Sequence, residues 1–83
     1  MPDPERSPID DIGRTMRALR RAQGVTQVDL ADLAGVGPRL VSEIENGKRT
    51  AEIGKVVQVL AALGASLVVV PRGAGSGRNG EPR

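Results

Sequence analysis

Cysteine, histidine, phenylalanine, tryptophan and tyrosine are all missing from this chain of 83 residues. Without a thiol or an imidazole it has no disulfide framework, no thiol nucleophile, no imidazole base and none of the usual zinc ligands. An enzyme is therefore not expected, and neither is a metal or other cofactor. Without aromatic rings it lacks the platforms on which unpaired bases stack in single-strand and many RNA binders. A nucleic-acid partner of this chain is expected to be double-stranded DNA. Long apolar runs are missing as well, so no segment reads as a membrane span. Residues 1–11 are acidic and contain Pro2, Pro4 and Pro8, unlike a secretory leader. A cytoplasmic protein of one domain is expected, small enough for self-association to help its stability.

The net charge of +2 conceals an asymmetry. Residues 1–11 carry Asp3, Glu5, Asp10 and Asp11 against Arg6, whereas residues 12–49 hold seven basic and four acidic side chains. Basic charge concentrated in one part of a chain suits a polyanion, and it equally suits a solvated helix face.

Residues 26–48 contain what is there in place of catalytic chemistry. Thr26 can cap a helix with Asp29 three residues on, and Gly35 suits the left-handed position that ends it. Leu30, Leu33 and Ala34 are expected to share its buried face. After Gly35-Val36-Gly37, Pro38 fits the first position of a second helix, which needs no N–H donor there. That helix is expected to bury Val41 and Ile44 and to end at Asn46-Gly47. Two short helices joined by a glycine turn are the geometry of a DNA-binding helix-turn-helix.

The pairs Thr26-Gln27, Leu30-Ala31, Gly35-Val36 and Val41-Ser42, with Ile44-Glu45-Asn46-Gly47-Lys48, resemble the signature of Xre/Cro-type helix-turn-helix repressors over residues 9–63. The resemblance implies an all-α, lambda-repressor-like domain of four to five helices. It also implies roles for single residues. Gln27 matches the family's phosphate-contacting glutamine, against the alternative of a solvated helix-terminal amide. Pro38, Arg39 and Glu43 occupy the base-reading positions. Arg39 can bond guanine O6 and N7 together, and Glu43 can accept from cytosine N4. The two stand four apart on one helix and can also pair with each other. Ser42, Lys48 and Arg49 fall at or beside positions that hold the DNA backbone. Arg20 corresponds to the arginine that pairs with Glu45, a structural ion pair. Gly37 and Pro38 depart from the family's usual polar residues, which leaves few hydrogen-bonding groups in the first turn and gives DNA shape a larger part in recognition. Leu40, where the family often has Thr or Ser, is placed for a thymine methyl or for partial burial.

The flanks complete the domain. Ser7-Pro8-Ile9-Asp10 starts a helix whose stripe is Ile9, Ile12, Met16 and Leu19. Arg14, Arg17 and Arg21, also on it, read mainly as solvated. Thr50 can cap a last helix with the stripe Ile53, Val56, Val57, Leu60 and Leu63, which Gly64 stops. Ala65-Ser66-Leu67-Val68-Val69-Val70 is a β-branched run ended by Pro71, and a lone strand cannot satisfy its backbone groups. Its expected partner is the same strand of a second subunit, through Leu67, Val68, Val69 and Val70; a disordered or intrachain extension is the alternative.

The expected organisation is a disordered stretch 1–6, a DNA-binding domain 7–64, a dimerisation strand 65–70 and a flexible tail 71–83. The tail has Gly73, Gly75, Gly77, Gly80 and three arginines, and is read as inert or as an auxiliary contact to DNA or protein. With its strand, the segment Ile53-Gly54-Lys55-Val56-Val57-Gln58-Val59-Leu60 resembles the HipB-like antitoxin branch. That resemblance implies a homodimer, a palindromic operator, autorepression and a HipA-like kinase toxin as partner. The rival expectation is an adaptor that keeps the fold and binds protein without specific DNA recognition.

Overall fold

The computed structural model describes residues 7–71; what the sequence suggests for residues 1–6 and for the tail beyond Pro71 lies outside them. The element order is α1 (Pro8–Ala22), α2 (Gln27–Ala34), α3 (Pro38–Glu45) and α4 (Ile53–Ala62). Four helices form the body, and no strand is present among the described residues.

Local chemistry sets the helix starts. Ser7 Oγ accepts from the Asp10 N–H at 3.3 Å while Asp10 Oδ2 accepts from the Ser7 N–H at 3.3 Å. Thr26 and Asp29 repeat the reciprocal arrangement at 3.0 and 3.3 Å. Gly35 ends α2 with φ of 76°, where the Val36 N–H returns to the Ala31 carbonyl. Gly37 supplies the extended residue before α3, with Pro38 opening it. The start of α4 differs from expectation. Glu52, not Thr50, stands at its cap position, and no side chain caps it.

Met16, Leu30, Val41, Ile44 and Val59 are the largest fully buried side chains, one or two from each helix. Each contributes about 1.5–3 kcal/mol relative to exposure. Two expected stripes are rotated from where the sequence puts them. On α2 the buried residues are Leu30 and Ala31 with Ala34 packed beside them, whereas Leu33 is 67% exposed. At 3.6 residues per turn, Leu33 lies about 100° from the centre of the face set by those three. On α4, Val56, Val59 and Leu60 are buried, with Leu63 just beyond its end, whereas Ile53 is 67% and Val57 43% exposed. Val59 lies outside the expected stripe because an i, i+4, i+7 pattern can be drawn through either set in so apolar a helix.

Two side-chain amides tie loops to carbonyls. Gln23 Nε2 donates to the Leu63 carbonyl at 2.9 Å and Gln58 Nε2 to the Ala34 carbonyl at 2.7 Å, the latter satisfying an end group of α2. Gly13 lets α1 lie against the end of α3. A Cβ there would stand 2.8 Å from the Glu45 carbonyl oxygen and would collide outright with that of Ile44. Residues 65–70 adopt no regular structure in the single chain; Leu67 packs on the core while Val68, Val69 and Val70 are exposed.

Candidate nucleic-acid interface

The close approach at Gly13 carries Glu45, the last residue of α3, against α1. Its side chain is fully buried and is met by donors from two other helices. Arg20 takes both oxygens, Nε to Oε2 at 2.6 Å and Nη2 to Oε1 at 3.0 Å, and gives Nη1 to the Val25 carbonyl at 2.9 Å. Arg17 Nε reaches Oε1 at 3.3 Å and Gln27 Nε2 reaches it at 3.1 Å. Burial is the largest single influence on Glu45 and pushes its pKa up. The hydrogen bonds from Arg20 and Gln27, with the Arg20 charge, outweigh it, and the carboxyl ends below its ordinary range. The Arg20 guanidinium is raised in turn, chiefly by its bond to Glu45. This network fixes the orientation of α3 relative to α1 and the first turn of α2. Arg17 and Gln27 are members that the sequence did not assign to it. Arg17 stands three residues before Arg20, hence on the same face of α1, and that spacing was the available signal.

The exposed side of α3 presents a second, looser group. Arg39, in the first turn, has a side chain 90% exposed, and its Nε donates to Glu43 Oε2 at 3.1 Å. Lys48 Nζ lies 3.3 Å from the same oxygen. These cations, Lys48 first, hold the Glu43 carboxyl below its ordinary range. The intrahelical pairing that the i, i+4 spacing allowed is therefore present in the unbound chain, and Glu43 is bracketed between two cations. Arg39 retains both terminal nitrogens. Pro38 is exposed and Gly37 offers no side chain, so the start of α3 has no side-chain cap. Ser42 Oγ accepts from Asn46 Nδ2 at 3.5 Å, and Arg49 is exposed beyond Lys48. Gln27 opens α2 with one amide N–H committed to Glu45. Pro38, Arg39, Glu43, Ser42, Lys48 and Arg49 thus lie along α3 and the loop that follows it. Gln27 joins them through the Glu45 hub.

The family model described as "Helix-turn-helix domain" matches residues 11–72. The chain belongs to the Xre-type helix-turn-helix family, whose members are DNA-binding transcription regulators. This helix-turn-helix protein is 48% identical over 63 residues to an uncharacterised HTH-type transcriptional regulator, y4mF, of Sinorhizobium fredii, an alignment spanning 76% of this chain and 83% of that one. It is 40% identical over 58 residues to the putative antitoxin HigA2 of Mycobacterium tuberculosis, covering 69% of this chain and 57% of the relative. In fold it is similar to a chain of the HipA-HipB-O2-O3 complex, with a TM-score of 0.72 at 20% identity, covering 84% of this chain and 99% of that chain. Among the described residues no helix is long and apolar enough to cross a membrane.

Proposed function

We propose that the protein is a sequence-specific repressor that binds a palindromic operator as a homodimer, controls its own operon, and serves there as the antitoxin of a HipBA-like pair. The observation that carries the DNA-reading part is the presentation of Arg39. Its side chain is 90% exposed, against 47% for Lys48 and 27% for Glu43; it sits in the first turn of a helix whose other end is clamped by a buried ion pair, and keeps a free two-nitrogen fork. Such a fork meets guanine O6 and N7 in the major groove. Glu43 serves as the reservoir from which Arg39 is released on binding, and is then free to accept from cytosine N4. Gln27, Ser42, Lys48 and Arg49 hold phosphates on either side, while Pro38 contributes an apolar contact and no donor.

The dimer rests on residues 65–70. Val68, Val69 and Val70 expose 72, 95 and 58% of their surface in the single chain. Three consecutive exposed valines are unfavourable in water, and a second copy of the segment would cover them while its backbone groups pair with their open edge. The antitoxin role draws on the likeness to HigA2, a putative antitoxin, and on the fold shared with the HipA-HipB-O2-O3 complex; the toxin partner in this reading is a HipA-like kinase.

Fluorescence anisotropy of the protein against its own upstream duplex and a scrambled one tests the reading. The native duplex is expected to bind more tightly, and Arg39→Ala to lose about 1–3 kcal/mol of that preference, roughly 5- to 150-fold. Equal binding of both duplexes by the unmodified protein would instead favour a protein-binding adaptor.

A further inference from the structure

Glu45 gathers more positive charge than one carboxylate can neutralise. Arg20 already engages both of its oxygens, commits its remaining nitrogen to the Val25 carbonyl, and is only 11% exposed. Arg17 arrives as a second guanidinium at the same carboxylate. It bonds Oε1 through Nε alone, and its side chain is 42% exposed. Oε1 thus accepts from Arg17, Arg20 and Gln27 together. Two guanidinium groups against one carboxylate leave a positive charge over, and the bonding of Arg17 determines how it is displayed. Its hydrogen bond to Glu45 runs through Nε, and the two terminal nitrogens form a pair of donors that matches two oxygens of a phosphate. Gln27 bonds the same carboxylate oxygen, so this guanidinium and the first residue of α2 lie within two hydrogen-bond lengths of each other.

We infer that Arg17 is a DNA-backbone residue, held at Nε by Glu45 so that its terminal nitrogens clamp a phosphate beside the first turn of α2. The inference rests on the DNA-binding reading above. In this arrangement Glu45 has two outputs. Arg20 takes up its charge within the fold, and Arg17 is aimed outward by it.

The test is anisotropy of the full chain on its upstream duplex and on the scrambled one, over a salt series, with Arg17→Gln, Arg17→Lys and Lys55→Ala. Arg17→Gln retains an amide that can donate to Glu45 while losing the charge, and Arg20 still satisfies the carboxylate, so the fold persists. It is expected to make the slope of log K against log salt shallower by about 0.9 per subunit, hence about 1.8 for the dimer. Both duplexes should weaken by the same factor, about 5- to 10-fold per subunit at 0.1 M salt, with little change in Tm. Arg17→Lys keeps the charge and should keep the slope. Lys55→Ala, which removes a cation from α4, should leave the slope as it is. An unchanged slope in Arg17→Gln, whatever its Tm, overturns the inference and makes Arg17 a second structural partner of Glu45. Loss of slope in Arg17→Lys equal to that in Arg17→Gln also overturns it, because the effect would not follow charge. An unmodified protein that shows no salt-dependent binding to either duplex overturns the DNA-binding reading together with the inference.

Discussion

Glu45 is the residue on which the rest depends, and its behaviour follows from where α1 and α3 touch. A buried carboxylate is destabilising unless its oxygens are filled, and here four donor bonds from three side chains fill them. Removing it strands Arg20, whose guanidinium is nearly enclosed. Glu45→Ala is therefore expected to cost about 3–5 kcal/mol of folding stability, read by urea denaturation. The same group sets an acid limit. Its pKa is lowered in the folded chain, so its contribution is fully present above the ordinary carboxylate value of 4.5 and is lost as pH falls through the lowered folded value. Tm should thus decline as pH drops below that ordinary range, and the part of the decline due to this residue should be missing in Glu45→Gln. A Glu45→Gln chain with the same acid profile as the unmodified protein would place the acid sensitivity elsewhere.

Among the elements, the junction of α1 with α3 is controlled by backbone contact at Gly13. Gly13→Ala forces a methyl group against the carbonyls of Ile44 and Glu45, which cannot yield as a flexible side-chain tip would. A loss of about 1–3 kcal/mol is expected, seen as a lowered urea midpoint. DNA affinity should fall as well, because displacing α3 from α1 misplaces Arg39. Helix boundaries for α1, α2 and α3 were legible in the sequence, since Ser7 with Asp10, Thr26 with Asp29, Gly35 and Pro38 act within four residues of themselves. Which faces turn inward was less legible. Leu33 and Val57 are apolar in helices with several apolar positions, and only the placement of neighbouring helices distinguishes the buried set. Gly13 leaves no local signal in the sequence, because its role depends on a contact more than thirty residues away along the chain. In the candidate interface, position in the sequence proposes Arg39, Glu43 and Lys48, and the i, i+4 spacing allows the pairing of Arg39 with Glu43 that the structure contains. The gathering of Arg17 and Gln27 on Glu45 needed the tertiary structure.

For the whole molecule, the residues proposed to read DNA and those proposed to join two subunits fall on different segments of the chain. Gln27, Arg39, Glu43 and Lys48 belong to α2, α3 and the loop after it, whereas Val68, Val69 and Val70 follow α4 at the other end of the chain's path. A homodimer joined through residues 65–70 presents two copies of α3 related by a two-fold axis. Reading successive major grooves then requires half-sites about 34 Å apart, one turn of duplex. The most direct measurement is a hydroxyl-radical footprint of the protein on its own upstream DNA, with Arg39→Ala and Val69→Asp alongside. At a concentration that half-saturates the site with the unmodified protein, the account predicts two symmetric protected patches on one face of the duplex, about 10 base pairs between centres, which are largely lost in Arg39→Ala and weaken in Val69→Asp. Protection that is absent in the unmodified protein, or that persists in Arg39→Ala, would contradict a dimeric repressor that reads bases through α3.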